Sequence, residues 1–320
     1  MSSGILSKVS FKIESVWGTP VTPDKSIAVH AGDGIQTDND VQMPVSIKAQ
    51  LAKNSTAFIG ARKHEGSFDM DFVPGYIGYF LKSLFGSLTS GTKAGETIVY
   101  EHALAEAETK PSLTIEQSVG DITRRFAGAI VTGMKLASKT GAAVTASFDV
   151  KAKSSASATA ISPTYETIRP FNFADCATAT GFKIGGTAFD EVEAFEIDFK
   201  NGVEMSHAHG SADPAFTFVN GGHVVSGKVD LYLNSDSAAK YAEYLNNTQS
   251  SIELNLVGDA IGSASNYKLN ITIPRAHFKA ANFPITEGKN MITVEFEGVY
   301  DTVTSKLISG VLTNLTAAYT

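Results

Sequence analysis

Apolar and polar residues alternate with a period of two in short runs along most of the chain. Gly66 is followed by Phe68, Met70 and Phe72, separated by Ser67, Asp69 and Asp71. Gly227 is followed by Val229, Leu231 and Leu233, separated by Lys228, Asp230 and Tyr232. Successive side chains of a strand point to opposite faces, so each run predicts a strand with one apolar and one polar face. Phe195, Ile197 and Phe199 follow the same rule, as do Tyr267, Leu269, Ile271 and Ile273. Beyond each of the two glycine-led strands the period becomes helical. Ile77, Phe80, Leu81 and Leu84 form one stripe, opened by Pro74 and Gly75 and closed by Gly86. Ala238, Tyr241, Ala242 and Leu245 form the other, with Asn234 as its predicted N-cap.

These runs are two copies of one pattern. Gly227 lies 161 residues beyond Gly66, and the helical stripes match at the same offset. Past the helices, Ser112 and the residues after it match the run from Ser251 at an offset of 139, so the first copy carries 22 extra residues. Gly, Thr and Glu are frequent in that stretch, between Gly86 and Pro111, which reads as a surface loop. The final strand of each copy runs through Val144, Ala146, Phe148 and Val150, and through Ile292, Val294 and Phe296. The expected organisation is mainly β: two tandem β-sandwich domains over residues 1–155 and 165–320, each with one flanking α-helix, joined by a linker over 156–164. A weakly patterned segment precedes the repeated strand in each copy, over residues 41–65 and 202–226, and loops that long usually have a task.

Composition narrows the function classes. A net charge of −7 argues against tight nucleic-acid binding, which needs clustered Lys and Arg. The single cysteine, Cys176, excludes an intrachain disulfide framework and reads as a small apolar filler. No apolar run approaches the roughly 18 residues of a membrane helix, and the N-terminal residues lack the core of a signal peptide, so no membrane partner is expected.

Few groupings could carry chemistry. His207, His209 and Asp213 place three metal-competent side chains close in sequence, but in a Gly- and Ser-rich stretch without zinc-type spacing. Arg62, Lys63 and His64 form a short basic run that reads as interface or solvated surface, and Arg124 with Arg125 reads as a hairpin tip. Asp69 and Asp71 share a strand face but not the cleft that acid–base carboxylates need. No phosphate loop, nucleophile elbow or cofactor motif is present, so the expectation is a non-enzyme without metal or cofactor.

Glu14 with Trp17, Gly18, Thr19 and Pro20, then Ile59, Gly60 and Arg62, then Gly66 with its alternating strand and the helix ending Leu84, Phe85 and Gly86, occur in an order that resembles the tail tube (major tail) proteins of siphophages. The likeness covers about the first 90 residues, and the repeat extends it over the rest. It implies a late-made structural protein of the virion tail, assembled in the host cytoplasm. Sheets of neighbouring domains join into a closed ring, and rings stack into the conduit for genome ejection. Two fused copies imply a homotrimer ring, with long loops bridging rings; residues 41–65 and 202–226, with Arg62, Lys63, His64, His207 and His209, are the candidates. The likeness also implies tape measure, tail terminator or tip proteins as partners, and phage DNA passing without tight binding.

Six such domains of four strands each would give a barrel of about 24 strands and a lumen of roughly 38 Å, wider than duplex DNA. The polar sides of the proposed strands carry Asp69, Asp71, Glu116, Asp149, Asp230, Glu253, Glu295 and Glu297, candidates for a lumen lining that repels phosphate. The alternative is a carbohydrate-binding or adhesin-like β-sandwich of a phage tail tip or decoration protein. It would need clustered exposed aromatics, and Trp17 is the only tryptophan.

Overall fold

The computed structural model describes residues 7–45, 56–176, 180–284 and 288–320. Part of the first long segment, residues 46–55, lies outside the described residues. The first half runs β1 (Lys8–Ile13), β2 (Lys25–Ile27), β3 (Gly34–Gln42), β4 (Phe58–Asp71), α1 (Ile77–Phe85), β5 (Gly86–Thr92), β6 (Tyr100–Glu106), β7 (Leu113–Val119), β8 (Ile122–Lys139), β9 (Thr145–Ala152) and β10 (Ser154–Ser157). After β11 (Thr164–Tyr165) the second half runs β12 (Phe182–Ile184), β13 (Thr187–Ala188), β14 (Val192–Lys200), β15 (Val203–Ser206), β16 (Phe216–Val219), β17 (Val224–Tyr232), α2 (Ser235–Leu245), β18 (Gln249–Ile261), β19 (Ser265–Asn282), β20 (Met291–Gly298) and β21 (Ser309–Asn314). The chain is mainly β, with two helices at the places the periodicity predicts.

Strand pairing recurs between the halves. β4 pairs with β3 and β9, and β9 with β8; β17 pairs with β14 and β20, and β20 with β19. A second set joins β2, β1, β7 and β8, and likewise β13, β12, β18 and β19. The long strands β8 and β19 serve both sets, the first part in one sheet and the last part in the other. Each is bulged where it meets its neighbour, between Val131 and Gly133 in β8 and between Phe278 and Ala280 in β19. Bulges bend a strand and raise its twist, which lets one strand turn from sheet to sheet. Gly66 and Gly227 are fixed by close approach: an added Cβ would sit 1.9 Å from the Gly34 carbonyl oxygen or 2.3 Å from that of Glu196.

Apolar faces meet in one core that takes in Phe68, Phe80, Leu84 and Phe148 from the first half and Val229, Leu254, Leu269 and Phe296 from the second. The predicted stripe of α1 is fully buried. Asn234 caps α2 as expected, its side chain accepting from the Ser237 N–H while the Ser237 hydroxyl accepts from the Asn234 N–H.

Two expectations are corrected. The weakly patterned segments are partly strand: β4 already begins at Phe58, and residues 202–226 hold the paired strands β15 and β16 and the start of β17. The extra stretch after Gly86 is not a surface loop but the hairpin β5–β6, built into a sheet because β6 pairs with β21 at the far end of the chain. Its tip also holds the second half: the Glu96 carboxylate accepts from the Ser263 and Ala264 N–H groups. The segment after β9 likewise contributes strand β10, paired with β8, before β11 lies parallel to β2.

Candidate assembly interface

The halves join through β8 and β14, which pair antiparallel from Gly133 opposite Lys200 to Lys139 opposite Ala194. Among the described residues this makes one continuous eight-stranded antiparallel sheet in the order β3, β4, β9, β8, β14, β17, β20, β19. The joint is sealed by Asn201, fully buried just past β14. Its amide nitrogen donates to the Leu84 and Val131 carbonyls at 2.9 and 2.8 Å, and its backbone N–H donates to the Thr132 carbonyl at 3.0 Å. These carbonyls are the last-turn group of α1 and those beside the bulge, which have no ladder partner of their own. Phe199 packs on Phe85 at 5.0 Å between ring centres.

Around the joint lies a polar cluster. Glu106 takes a 2.6 Å hydrogen bond from His223 and accepts from the Leu307 N–H, and its pKa is lowered against the opposing pull of burial. Lys110, buried, donates to the Phe85 carbonyl, and burial pushes its pKa down to about 8. The C-terminal tail covers the start of α1: Tyr319 is buried against Tyr79, donates to the Gly75 carbonyl, and offers its own carbonyl to Lys82.

The sheet has two outer edges. Among the described residues β3 pairs with β4 alone, and the last residues of β19 with β20 alone. A groove of 570 Å³ follows β3, lined by Ile35, Thr37, Asn39, Gln117, Ile122 and Phe126. At the other edge Phe283 is 50% and Leu245 63% exposed.

One face of the eight-stranded sheet is polar. Cross-strand partners share a face, so one row reads Asp69, Ser147, Lys135, Asp198, Ser226 and Glu297, and the next includes Asp71, Thr145, Glu196, Lys228 and Glu295. Asp149 and Asp230 lie on the same face. Six of the sequence-predicted lining residues are therefore together: Asp69, Asp71, Asp149, Asp230, Glu295 and Glu297. The other two sit in the second sheet of each half. Glu116 is buried in an ion pair with Arg125 at 2.7 Å, and Glu253 faces Lys183 at 3.8 Å. Lysines are more frequent on the polar face than the alternation of single strands suggests: Lys135 and Lys228 both approach Glu196, at 3.0 and 3.6 Å. Asp198 and Glu196, not singled out from sequence, stand at its centre, and burial raises the pKa of Asp198.

The loop candidates also converge. His207 bonds the Arg62 carbonyl at 2.7 Å, the Arg62 N–H donates to the Ala212 carbonyl, and His64 meets Asp213 at 3.4 Å. His64 is 3% exposed, and desolvation lowers its pKa; Arg62 and His207 are bonded to each other but remain partly exposed. Lys63 and His209 are exposed. Among the described residues no three His, Cys, Asp or Glu side chains converge as a metal would require. Nor is any described helix long and apolar enough to cross a membrane. Cys176 is a free thiol whose pKa burial raises to about 11. The far ends of β3 and β4 expose Val41, Phe58 and Ile59, and β16, paired with β15, exposes Phe216, Phe218 and Val219.

Comparison with curated proteins finds no match. A family model described as phage tail tube protein matches residues 4–299, nearly the whole chain. The chain belongs to that family: it is a structural component of a phage tail.

Proposed function

We propose that this tail tube protein closes into a ring of three chains, each supplying two fused copies of one sandwich domain. The observation that carries the reading is the continuous antiparallel sheet with an open edge at both ends. Exposed edges invite pairing, and a closed barrel removes them. Three chains of eight strands give the barrel of about 24 strands that would enclose duplex DNA with room for water. The recurring pairings and the recurring bulge support reading the halves as copies, with residues 156–164 between them.

The polar face lines the lumen in this reading. Asp69, Asp71, Asp149, Asp230, Glu295 and Glu297 would keep phosphate from adhering, while Lys135 and Lys228 are occupied by Glu196. The exposed apolar arms, with Lys63 and His209 nearby, would bridge successive rings, and the tube ends would meet tape measure and terminator or tip proteins. Purified protein, concentrated and viewed by negative-stain microscopy, is expected to show hollow rings or tubes. A monodisperse monomer under all conditions overturns the reading.

A further inference from the structure

The ladders of the two halves can be aligned residue by residue. Ile35 stands opposite Gly66 as Ile197 stands opposite Gly227, and Val131 opposite Val150 as Phe278 opposite Phe296. Carried one residue at a time, this makes Asn39 the counterpart of Asn201 and Phe283 that of Leu136. Residues 280–283 then correspond to 133–136. Leu84 and Leu245 correspond through the shared helix offset.

The counterparts differ in what covers them, and the Asn39 side-chain oxygen accepts from Arg62 Nε at 3.1 Å where that of Asn201 accepts from the Val203 N–H. Asn201, Leu84 and Leu136 are fully buried at the internal joint. Asn39 is exposed, Leu245 is 63% exposed and Phe283 is 50% exposed. An amide and two large apolar side chains thus lie open at the two ends of the sheet, on the positions that the internal joint buries.

We infer that the partner of β3 is the end of β19 from a second copy of this chain, in the register of the internal joint. Resting on the ring-forming reading above, the inference adds its residues: Ile35, Gln36, Thr37 and Asp38 pair with Phe283, Asn282, Ala281 and Ala280 of the neighbour, the Gln117 side chain that holds the Ile35 N–H at 3.0 Å in the single chain giving way to the incoming strand. Asn39 is the key of the lock. Its side-chain amide donates to the neighbour's Leu245 and Phe278 carbonyls, and its backbone N–H to the neighbour's Lys279 carbonyl beside the bulge. Pro284 has no N–H and ends the ladder there. The 570 Å³ groove along β3 receives the incoming strand. The joint between chains is also the weaker one. The β5–β6 hairpin belongs to the extra stretch of the first copy, so nothing corresponding to it spans from the second half to the next chain.

Paired cysteines test the register. With Cys176→Ala as background, Gln36→Cys combined with Asn282→Cys places two thiols directly opposite on the polar face, within the Cα spacing a disulfide accepts. Oxidation of assembled protein is expected to convert most of it to covalent dimers and trimers. Gln36→Cys with Ala281→Cys, one residue out and on the other face, is expected to cross-link at least tenfold less. Asn39→Ala is expected to keep the melting temperature of the isolated chain and to lower the yield of rings at least tenfold. Tubes that form without the Gln36–Asn282 cross-link overturn this register while leaving the tube reading intact. Tubes that form as well with Asn39→Ala overturn the role of Asn39 in the same way. Protein that never assembles overturns both.

Discussion

The junction between the halves and the open ends of the sheet use corresponding residues in opposite states. At the junction Asn201 is sealed among carbonyls, every residue of α1 but Lys82 is buried, and the β5–β6 hairpin and C-terminal tail bridge from one half to the other. At the ends Asn39 and Leu245 face solvent, and α2 buries only Ser237 and Lys240 below a tenth exposure. A repeat whose copies bury different amounts of the same surface is incomplete on the open side. The difference shows where the missing cover belongs.

Four measurements can break or sharpen this contrast. The largest effect is expected at the tail: Tyr319→Ala removes the cover of α1 and should cost about 3–5 kcal/mol in urea unfolding, since a buried aromatic is lost with its cavity unfilled. Next is the asparagine pair. Asn201→Ala leaves buried carbonyls unpaired and should cost about 2–3 kcal/mol, whereas Asn39→Ala in the isolated chain should stay within about 0.5 kcal/mol. Equal losses at both positions would remove the contrast.

Third is the connecting segment, where the half-buried Glu166 carboxyl accepts from the Tyr76 N–H at the start of α1, and burial raises its pKa to about 7. Between its unfolded value of 4.5 and about 7 the folded chain holds the extra proton, so this group's contribution falls as pH rises through that window. Glu166→Gln should remove the dependence and stabilise the chain above pH 7 by roughly 1–2 kcal/mol, allowing for partial solvent screening. Denaturation midpoints at pH 5 and pH 7.5 measure it. The smallest effect is at α2, which carries its own cap: Asn234→Ala should cost about 1 kcal/mol by thermal melting. The corresponding cap position of α1, Tyr76, makes no side-chain cap hydrogen bond.

Much of this was legible in the chain. Strands β14, β17, β19 and β20 and the part of β4 after Gly66 carry the alternation read from the sequence, and the helical stripes and the Asn234 cap match their residues. The hairpin β5–β6 was not legible, because Gly86, Ser87, Ser90 and Gly91 give it no apolar stripe and its partner β21 lies some 200 residues away. Strand β3 was hidden for a related reason: Gln36, Asp38 and Asp40 face solvent, and only Ile35 is a buried large apolar residue. For the carboxylates, alternation assigns a face within a strand but not the sheet to which the strand belongs. Glu116 and Glu253 were therefore grouped with acids from which pairing separates them.

Covalent continuity across β8 and β14 also changes the arithmetic of assembly. Tethered surfaces meet at the effective concentration set by their connection, of millimolar order for a short link, whatever the dilution of the protein. The ring proposed above then has three seams to form between molecules where unfused domains would have six. Dilution would act on those three seams alone, so a diluted tube should come apart into whole chains with their inner seam intact.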